Sequence, residues 1–322
     1  MGLTQQRAER HVAEWSERLS ASPQNAEWPS QLFHAAHVTT AAQILRSGYL
    51  SCRSGLSAID HDVANQGALH NNPKAHDFAR LYFRPKNYFH LKTEGIKCRD
   101  DPYRDRQHMS VPVMLAFDAV SILTLPAVEF SKGKYSKRQP TGSDDRFFDG
   151  ISMERVYHDA VPSDEEKESI QDARMAEVLV PGRLPLSPHL RSVICRTPLD
   201  RRTLLHLLGG GAESLRERIT VEPVRASVFL HYGLYLTRAD LSASGLRLDF
   251  HPPRGRVPTS LKVRLTNRSP GQPPDNYDLT IPSEPNVTIS SIPATPENCW
   301  EIEIEDVLAF HAPIPWQTSV LR

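Results

Sequence analysis

Along residues 4–19 the apolar side chains Ala8, Val12, Trp15 and Leu19 recur at spacings of four, three and four, one stripe of an amphipathic helix that packs on the body of the protein. After the polar linker SASPQNAEWPSQ, the stretch LFHAAHVTTAAQILRSGYL predicts a strand end at Leu32–His34 and a cap at Thr39 or Thr40. A short helix through Ile44 and Leu45 follows, with Gly48 as its stop. Residues 51–77 are polar and read as a long loop, a feature that in compact domains is usually functional or mobile. ARLYFRPKNYF at 79–89 alternates and predicts a strand or strand edge that carries its charge outward. VPVMLAFDAVSILT at 111–124 predicts a buried strand followed by a turn or short helix, and SKGKYSKRQPTGSDDR at 131–146 a polar loop.

A charged helical stretch over 163–175 leads into RMAEVLVPG at 174–182. Val178, Leu179 and Val180 have the continuous apolar character of a strand covered on both faces, and Pro-Gly ends it. Glu177 stands at the start of that strand, its carboxylate either turned to water or held over a cleft. SVICRT at 192–197 predicts a further strand, TLLHLL at 203–208 a helix, and GGG at 209–211 a break. Beyond about residue 224 the texture changes. Short runs such as LRLDF, LKVRLTN, YDLTIP and CWEIEIEDVLAF alternate with Pro, Gly and Asn turns, the pattern of a β-sandwich or barrel of roughly a hundred residues.

The length of 322 residues accommodates two domains, and 39% hydrophobic with 24% charged residues is ordinary for a globular chain. Lys plus Arg and Asp plus Glu balance at 38 each, so attraction to nucleic acid must come from a local patch. Apolar runs such as SVFLHYGLYL are too short and too interrupted to span a bilayer, and no apolar segment follows a basic start at the N-terminus. No membrane partner is expected. Cys52, Cys98, Cys195 and Cys299 form no CxxC pair, which argues against a zinc site and a disulfide framework and fits a reducing cytoplasm. Neither HExxH nor a paired carboxylate set is present, and GGG follows a helix where a phosphate loop would join a strand to one.

Three segments, taken in order, carry a resemblance. LFHAAHVTTAAQILRSGYL resembles the NAD-binding opening of the DarT family of nucleic-acid ADP-ribosyltransferases, ARLYFRPKNYF resembles that family's central aromatic strand, and RMAEVLVPG resembles the strand that carries its catalytic glutamate. The resemblance implies an α+β, ADP-ribosyltransferase-like fold with split β-sheets over residues 31–224; the apolar pattern adds a helix and linker at 1–30 before it and an all-β, sandwich-like domain at 225–322 after it. It implies NAD as substrate and no metal. Glu177 becomes the catalytic carboxylate, with His34, Ala36, Thr40, Tyr82 and Arg84 as NAD-binding positions. Two departures stand out: Thr40 replaces an asparagine common in relatives, and residues 54–79 lack the expected arginine. Arg80 is the preferred replacement, with Arg84 and Arg53 as alternatives.

A carboxylate beside the ribose stabilises the positive charge that builds as nicotinamide leaves, and an arginine fork suits a pyrophosphate. Lys86, Lys132, Lys134, Lys137 and Arg138 are the candidate nucleic-acid contacts. The implied function is transfer of ADP-ribose from NAD to a base of single-stranded DNA or RNA, in a bacterial toxin or phage-defence system with an antitoxin or chaperone partner. Two rivals remain open at this point, a transferase acting on protein and an inactive interaction module. Each residue also has a plainer reading: His34 as a satisfied core histidine, Tyr82 and Phe83 as core, and the lysines as a solvated loop.

Overall fold

The structure is a computed structural model that describes all residues except 1, 60–62, 64–71, 100, 102–107, 136–138, 224–226, 256, 269–270, 293–297 and 317–322. Helix α1 (Gln5–Arg18) is capped by Thr4, whose hydroxyl accepts the Arg7 N–H, and it buries Ala8 and His11 against the body. Strand β1 (Gln31–His37) runs directly into α2 (Val38–Ser47), and the cap is His37 itself, its ring accepting the Thr39 N–H. Gly48 closes α2 at φ 75°, the left-handed conformation that favours glycine. β2 (Tyr49–Ser51) and β8 (Arg183–Pro185) form a small antiparallel pair.

The main sheet also contains β3 (Phe78–Tyr82), β4 (Pro112–Asp118), β5 (Glu129–Ser131), β6 (Thr141–Gly142), β7 (Glu177–Pro181), β9 (Leu190–Cys195) and β10 (Ile219–Val221). Its strand order is β10-β9-β4-β1-β3-β7-β5-β6. The helices α3 (Tyr88–Thr93), α4 (Ala119–Leu123), α5 (Asp145–Asp149), α6 (Met153–Val156), α7 (Lys167–Ala173) and α8 (Pro198–Leu208) connect and cover it. One junction differs from the rest. β1 pairs with β4 through seven successive residues, from Gln31↔Asp118 to His37↔Pro112, but meets β3 at the single pair Phe33↔Tyr82. The sheet is therefore split there, as the resemblance implies.

Strand β3 lies inside the sheet, between β1 and β7, and not at an edge. Its arginine, Arg80, and the Arg84 that follows it consequently do not turn outward as the alternation suggested. Arg84, just past the strand, is about 1% exposed, and its guanidinium donates to the Val156 and His158 carbonyls and to Asp159 while lying over the Trp28 ring.

The C-terminal strands β11 (Tyr235–Ser242), β12 (Gly245–His251), β13 (Ser260–Arg268), β14 (Asp275–Pro282), β15 (Asn286–Ile289), β16 (Cys299–Ile304) and β17 (Val307–Pro313) form two sheets, β11-β12-β15 and β14-β13-β16-β17. Leu241, Leu246 and Leu248 of one and Val263, Leu265, Trp300 and Ile302 of the other share one buried core, the sandwich expected from the period-2 runs. Val228 and Phe229 pack in the core of the first lobe, so that lobe reaches past residue 224. In return Ile96 and Leu199 of the first lobe enter the sandwich core. Arg196, in an ion pair with Asp200 at 3.3 Å, lays its guanidinium 3.7 Å from the centre of the Tyr235 ring. Among the described residues no helix is long and apolar enough to cross a membrane.

Buried histidines set the acid limit of the fold. Burial holds His11 down to about 3 and His90 to about 4, and it also lowers His34. Below pH 6.5 the unfolded chain takes up protons that the folded rings refuse. Stability is therefore lost as pH falls from 6.5 toward 4, by about 1.4 kcal/mol per pH unit for each such ring. Asp200, pushed up to about 6 by burial, works in the opposite direction but is a single group. Chemical denaturation followed at pH 7, 6 and 5 should show a falling unfolding free energy, and replacing His90 by a neutral glutamine should flatten that dependence.

Candidate active site

A cavity of about 410 Å³ opens where β1 and β3 separate. β1 contributes His34, Ala36 and His37, α2 contributes Thr40 and Ile44, and β3 contributes Phe78, Arg80 and Tyr82. Phe89, Met175 and Lys134 add to the wall, as do β2, the segment from Arg53 to Ile59, and Val63. The volume falls in the range of small-molecule sites, and a mostly apolar wall with a few converging polar groups is their usual character.

Glu177 is fully buried, with no exposure at all. Register explains its position: β3 and β7 are antiparallel with Tyr82↔Glu177 as a cross-strand pair, and Arg80 lies two residues along β3 on the same face as Tyr82. From there the Arg80 guanidinium grips the carboxylate through both oxygens, Nε to Oε2 at 2.5 Å and Nη2 to Oε1 at 2.7 Å. The Tyr135 N–H donates to Oε1 at 3.1 Å, and the Glu177 N–H donates to the Ser131 hydroxyl at 3.1 Å. The carboxylate is thus neither turned to water nor left open over a cleft. It is held behind Arg80, whose side chain keeps 22% of its surface exposed on the cavity side.

The electrostatics around this pair are consistent. Burial is the largest single influence and would lower the Arg80 pKa, but the charge and hydrogen bond of Glu177, together with Tyr82 and Tyr135, outweigh it and raise the pKa above the ordinary arginine value. Burial and then the same negative charge raise the Tyr82 phenol, so it stays neutral and can donate. His34 Nδ1 lies 2.9 Å from the Arg80 carbonyl. A carbonyl only accepts, so Nδ1 carries the proton, burial keeps the ring neutral, and Nε2 is left as the ring's acceptor.

The structure therefore brings together His34, Ala36, Thr40, Arg80 and Tyr82 around the cavity, with Glu177 directly behind them. Arg53, the sequence alternative, also lines it. Arg84 does not: its guanidinium is spent on the 156–159 segment and Trp28, so the NAD-binding role expected of it has no geometric basis. Among the candidate nucleic-acid contacts Lys134 reaches the cavity, whereas Lys132 lies over the Phe147 ring at 5.0 Å. Lys86 is half-buried, its ammonium lowered by burial and attended by Asp159, Glu222 and Glu94. Lys137 and Arg138 lie outside the described residues. Sequence reasoning missed Ser131 and Tyr135, which fix Glu177 from within the basic loop. The isolated aromatic in SKGKY was the available signal.

The sequence model described as "DarT: ssDNA thymidine ADP-ribosyltransferase, DarT" matches residues 33–229, well over half of the chain. The chain belongs to the DarT family. The match ends at Phe229, the last fully buried residue of the first lobe's core, and the sandwich strands lie beyond it. Among solved structures, Thermus sp. 2.9 DarT in complex with NAD+ is 16% identical, with a TM-score of 0.47 over 62% of this chain and 98% of that one. The same protein in complex with ADP-ribosylated ssDNA gives 15% and 0.47, over 62% and 97%. Thermosipho africanus DarTG in complex with ADP-ribose gives 14% and 0.46, over 65% and 52%. No curated protein matches the sequence at a significant level.

Membership in the DarT family makes the chain an NAD-dependent ADP-ribosyltransferase, and the ion pair yields a test in which activity and stability separate. Glu177→Gln keeps the shape and removes the charge, so transferase turnover should fall by roughly a hundredfold to a thousandfold. It also leaves Arg80 without its counter-charge. Because that guanidinium can still reach water, the stability loss should be about 1–3 kcal/mol, less than for a fully buried orphan. Arg80→Ala strands the carboxylate with no exposure and should cost more stability than Glu177→Gln. Equal melting temperatures for the two variants would contradict the burial asymmetry.

Proposed function

We propose that the chain breaks NAD in the seam between β1 and β3 and transfers ADP-ribose to a base of single-stranded DNA, as a toxin or phage-defence effector kept in check by an antitoxin. The family description supports the target class, and the observation that carries the reading is the buried Glu177 carboxylate held by Arg80 at the wall of the seam cavity. In this reaction the bond from nicotinamide nitrogen to ribose C1′ breaks, its electron pair leaves with nicotinamide, and C1′ gains positive charge. A ring nitrogen of the target base then forms the new bond to C1′, and its proton passes to the Glu177 carboxylate.

Glu177 supplies negative charge beside the developing cation. Arg80 stands between that carboxylate and the cavity, so the phosphates of NAD compete with Glu177 for its fork. Loading the substrate would then loosen the carboxylate when its charge is needed. His34 Nε2, as an acceptor, suits a ribose hydroxyl, and the neutral Tyr82 phenol suits a carbonyl or phosphate oxygen. Ala36 leaves room on the β1 side and Thr40 offers a hydroxyl at the start of α2. Covalent marking of exposed DNA bases obstructs copying, which motivates the toxin reading and the partner that restrains it.

Lys134 is proposed as the first phosphate contact of the incoming strand, because it reaches the cavity while Lys132 is turned toward Phe147. Labelled NAD should transfer label to single-stranded DNA in preference to RNA or protein pools, and Glu177→Gln should abolish transfer to any of them. Lys134→Glu should weaken DNA modification and lower its salt slope by about 0.7, while hydrolysis of NAD by water persists. Lys132→Glu should leave both unchanged. Label appearing only on protein would favour a protein-modifying transferase, and no label with any pool would favour an inactive module.

A further inference from the structure

Helix α8 of the transferase lobe packs on α2 and lies against β17, the edge strand of one sandwich sheet. His206 faces that edge from the last turn of α8, three residues beyond Thr203, whose hydroxyl accepts the His311 N–H at 3.3 Å. On the sandwich side, Trp300 and Ile302 of β16 turn into the core, which leaves Cys299 and Glu301 on the opposite face. His311 of β17 pairs across from Glu301 in the ladder. One donor atom each from His206, Cys299 and His311 therefore lies within 4.8 Å of the other two. The Cys299 sulfur is 3.2 Å from His206 Nε2, and the two imidazole centres are 4.9 Å apart.

We propose that His206, Cys299 and His311 form a binding site for a zinc-class divalent cation that fastens the sandwich to the transferase lobe. Two imidazoles with one thiolate make a borderline-soft donor set, and three protein ligands leave a fourth position for water or a nearby carboxylate. Ligand atoms on a tetrahedral ion with bonds of about 2.0–2.3 Å stand roughly 3.5 Å apart; the Cys299–His206 pair at 3.2 Å is close to that, and the other pairs, all within 4.8 Å, close on an ion by side-chain rotation. Glu301 supplies the carboxylate neighbour that ligating histidines commonly have: its Oε2 lies 3.8 Å from His311 Nδ1, and Arg268 holds it from the other side at 3.3 Å. The absence of a CxxC pair excluded zinc only from sequence spacing. Residues 206, 299 and 311 meet by packing alone.

The test uses the full chain, stripped with a chelator and titrated with Zn²⁺ against a chromogenic competitor, with Co²⁺ as a spectroscopic probe. The expected result is one tight equivalent, a Co²⁺ spectrum with tetrahedral bands and a thiolate charge-transfer band, and a melting temperature that rises with Zn²⁺. Cys299→Ser should erase the charge-transfer band, and Cys299→Ser and His206→Ala should each weaken Zn²⁺ binding at least tenfold. Circular dichroism would confirm that both variants fold, and transferase activity should be retained because neither residue touches the seam. Binding that is not stoichiometric, or that is equally strong in both variants, would overturn the site.

Discussion

Everything distinctive in the transferase lobe depends on placing one carboxylate in a position without water. An unpaired buried carboxylate is too costly for a marginally stable domain, so its environment must supply charge and hydrogen bonds together. Arg80 supplies both through a two-pronged contact, Tyr135 adds a backbone N–H, and Ser131 fixes the main chain at the same residue. These partners come from β3, the basic loop and the end of β5. The glutamate thus knits three separate segments into one wall, and the pair register between β3 and β7 sets the geometry.

The same pair explains which parts of the site were legible in sequence. Glu177 ahead of VLVPG and His34 in LFHAAH lie on strands whose apolar pattern is strong, so their position followed from periodicity and resemblance. Arg80 and Arg53 flank the stretch without an arginine on either side, and both line the cavity; the ion pair with Glu177 belongs to Arg80. The place of Arg84 was not legible, because nothing in RPKNYF distinguishes a guanidinium facing a cleft from one sealed against Trp28 and the 156–159 carbonyls. That choice is made by long-range packing with segments about seventy residues away. Ser131 and Tyr135 were hidden for the complementary reason: their surroundings are polar and basic, and their contacts with Glu177 use backbone and hydroxyl groups that leave no compositional trace.

The fold shows a similar division. Alternation disclosed the sandwich, since each of its strands turns one face to a common core, and it disclosed β4 and α2 with short boundary errors. It misplaced β3, because an internal strand with arginines on it looks like an edge when only its own residues are read. It also drew the lobe boundary at a change of texture near residue 224. Packing draws it after Phe229, and the two lobes exchange apolar residues, Ile96 and Leu199 in one direction and Leu308 in the other. The sandwich is an addition in sequence but a continuous part of the solid.

The single ladder pair between β1 and β3 has a mechanical meaning. On either side of it lie stiff plates, β10-β9-β4-β1 and β3-β7-β5-β6, each fastened internally by ordinary strand pairing. Between them the ladder keeps one residue pair, with the hydrogen bond from His34 Nδ1 to the Arg80 carbonyl beside it. The two plates still share one buried core, Phe33 and Val113 on one side and Leu81 and Val178 on the other, so packing and not ladder pairing holds the opening at its width. His34 and Ala36 stand on one plate and Arg80, Tyr82 and Glu177 on the other, and the cavity takes its walls from both.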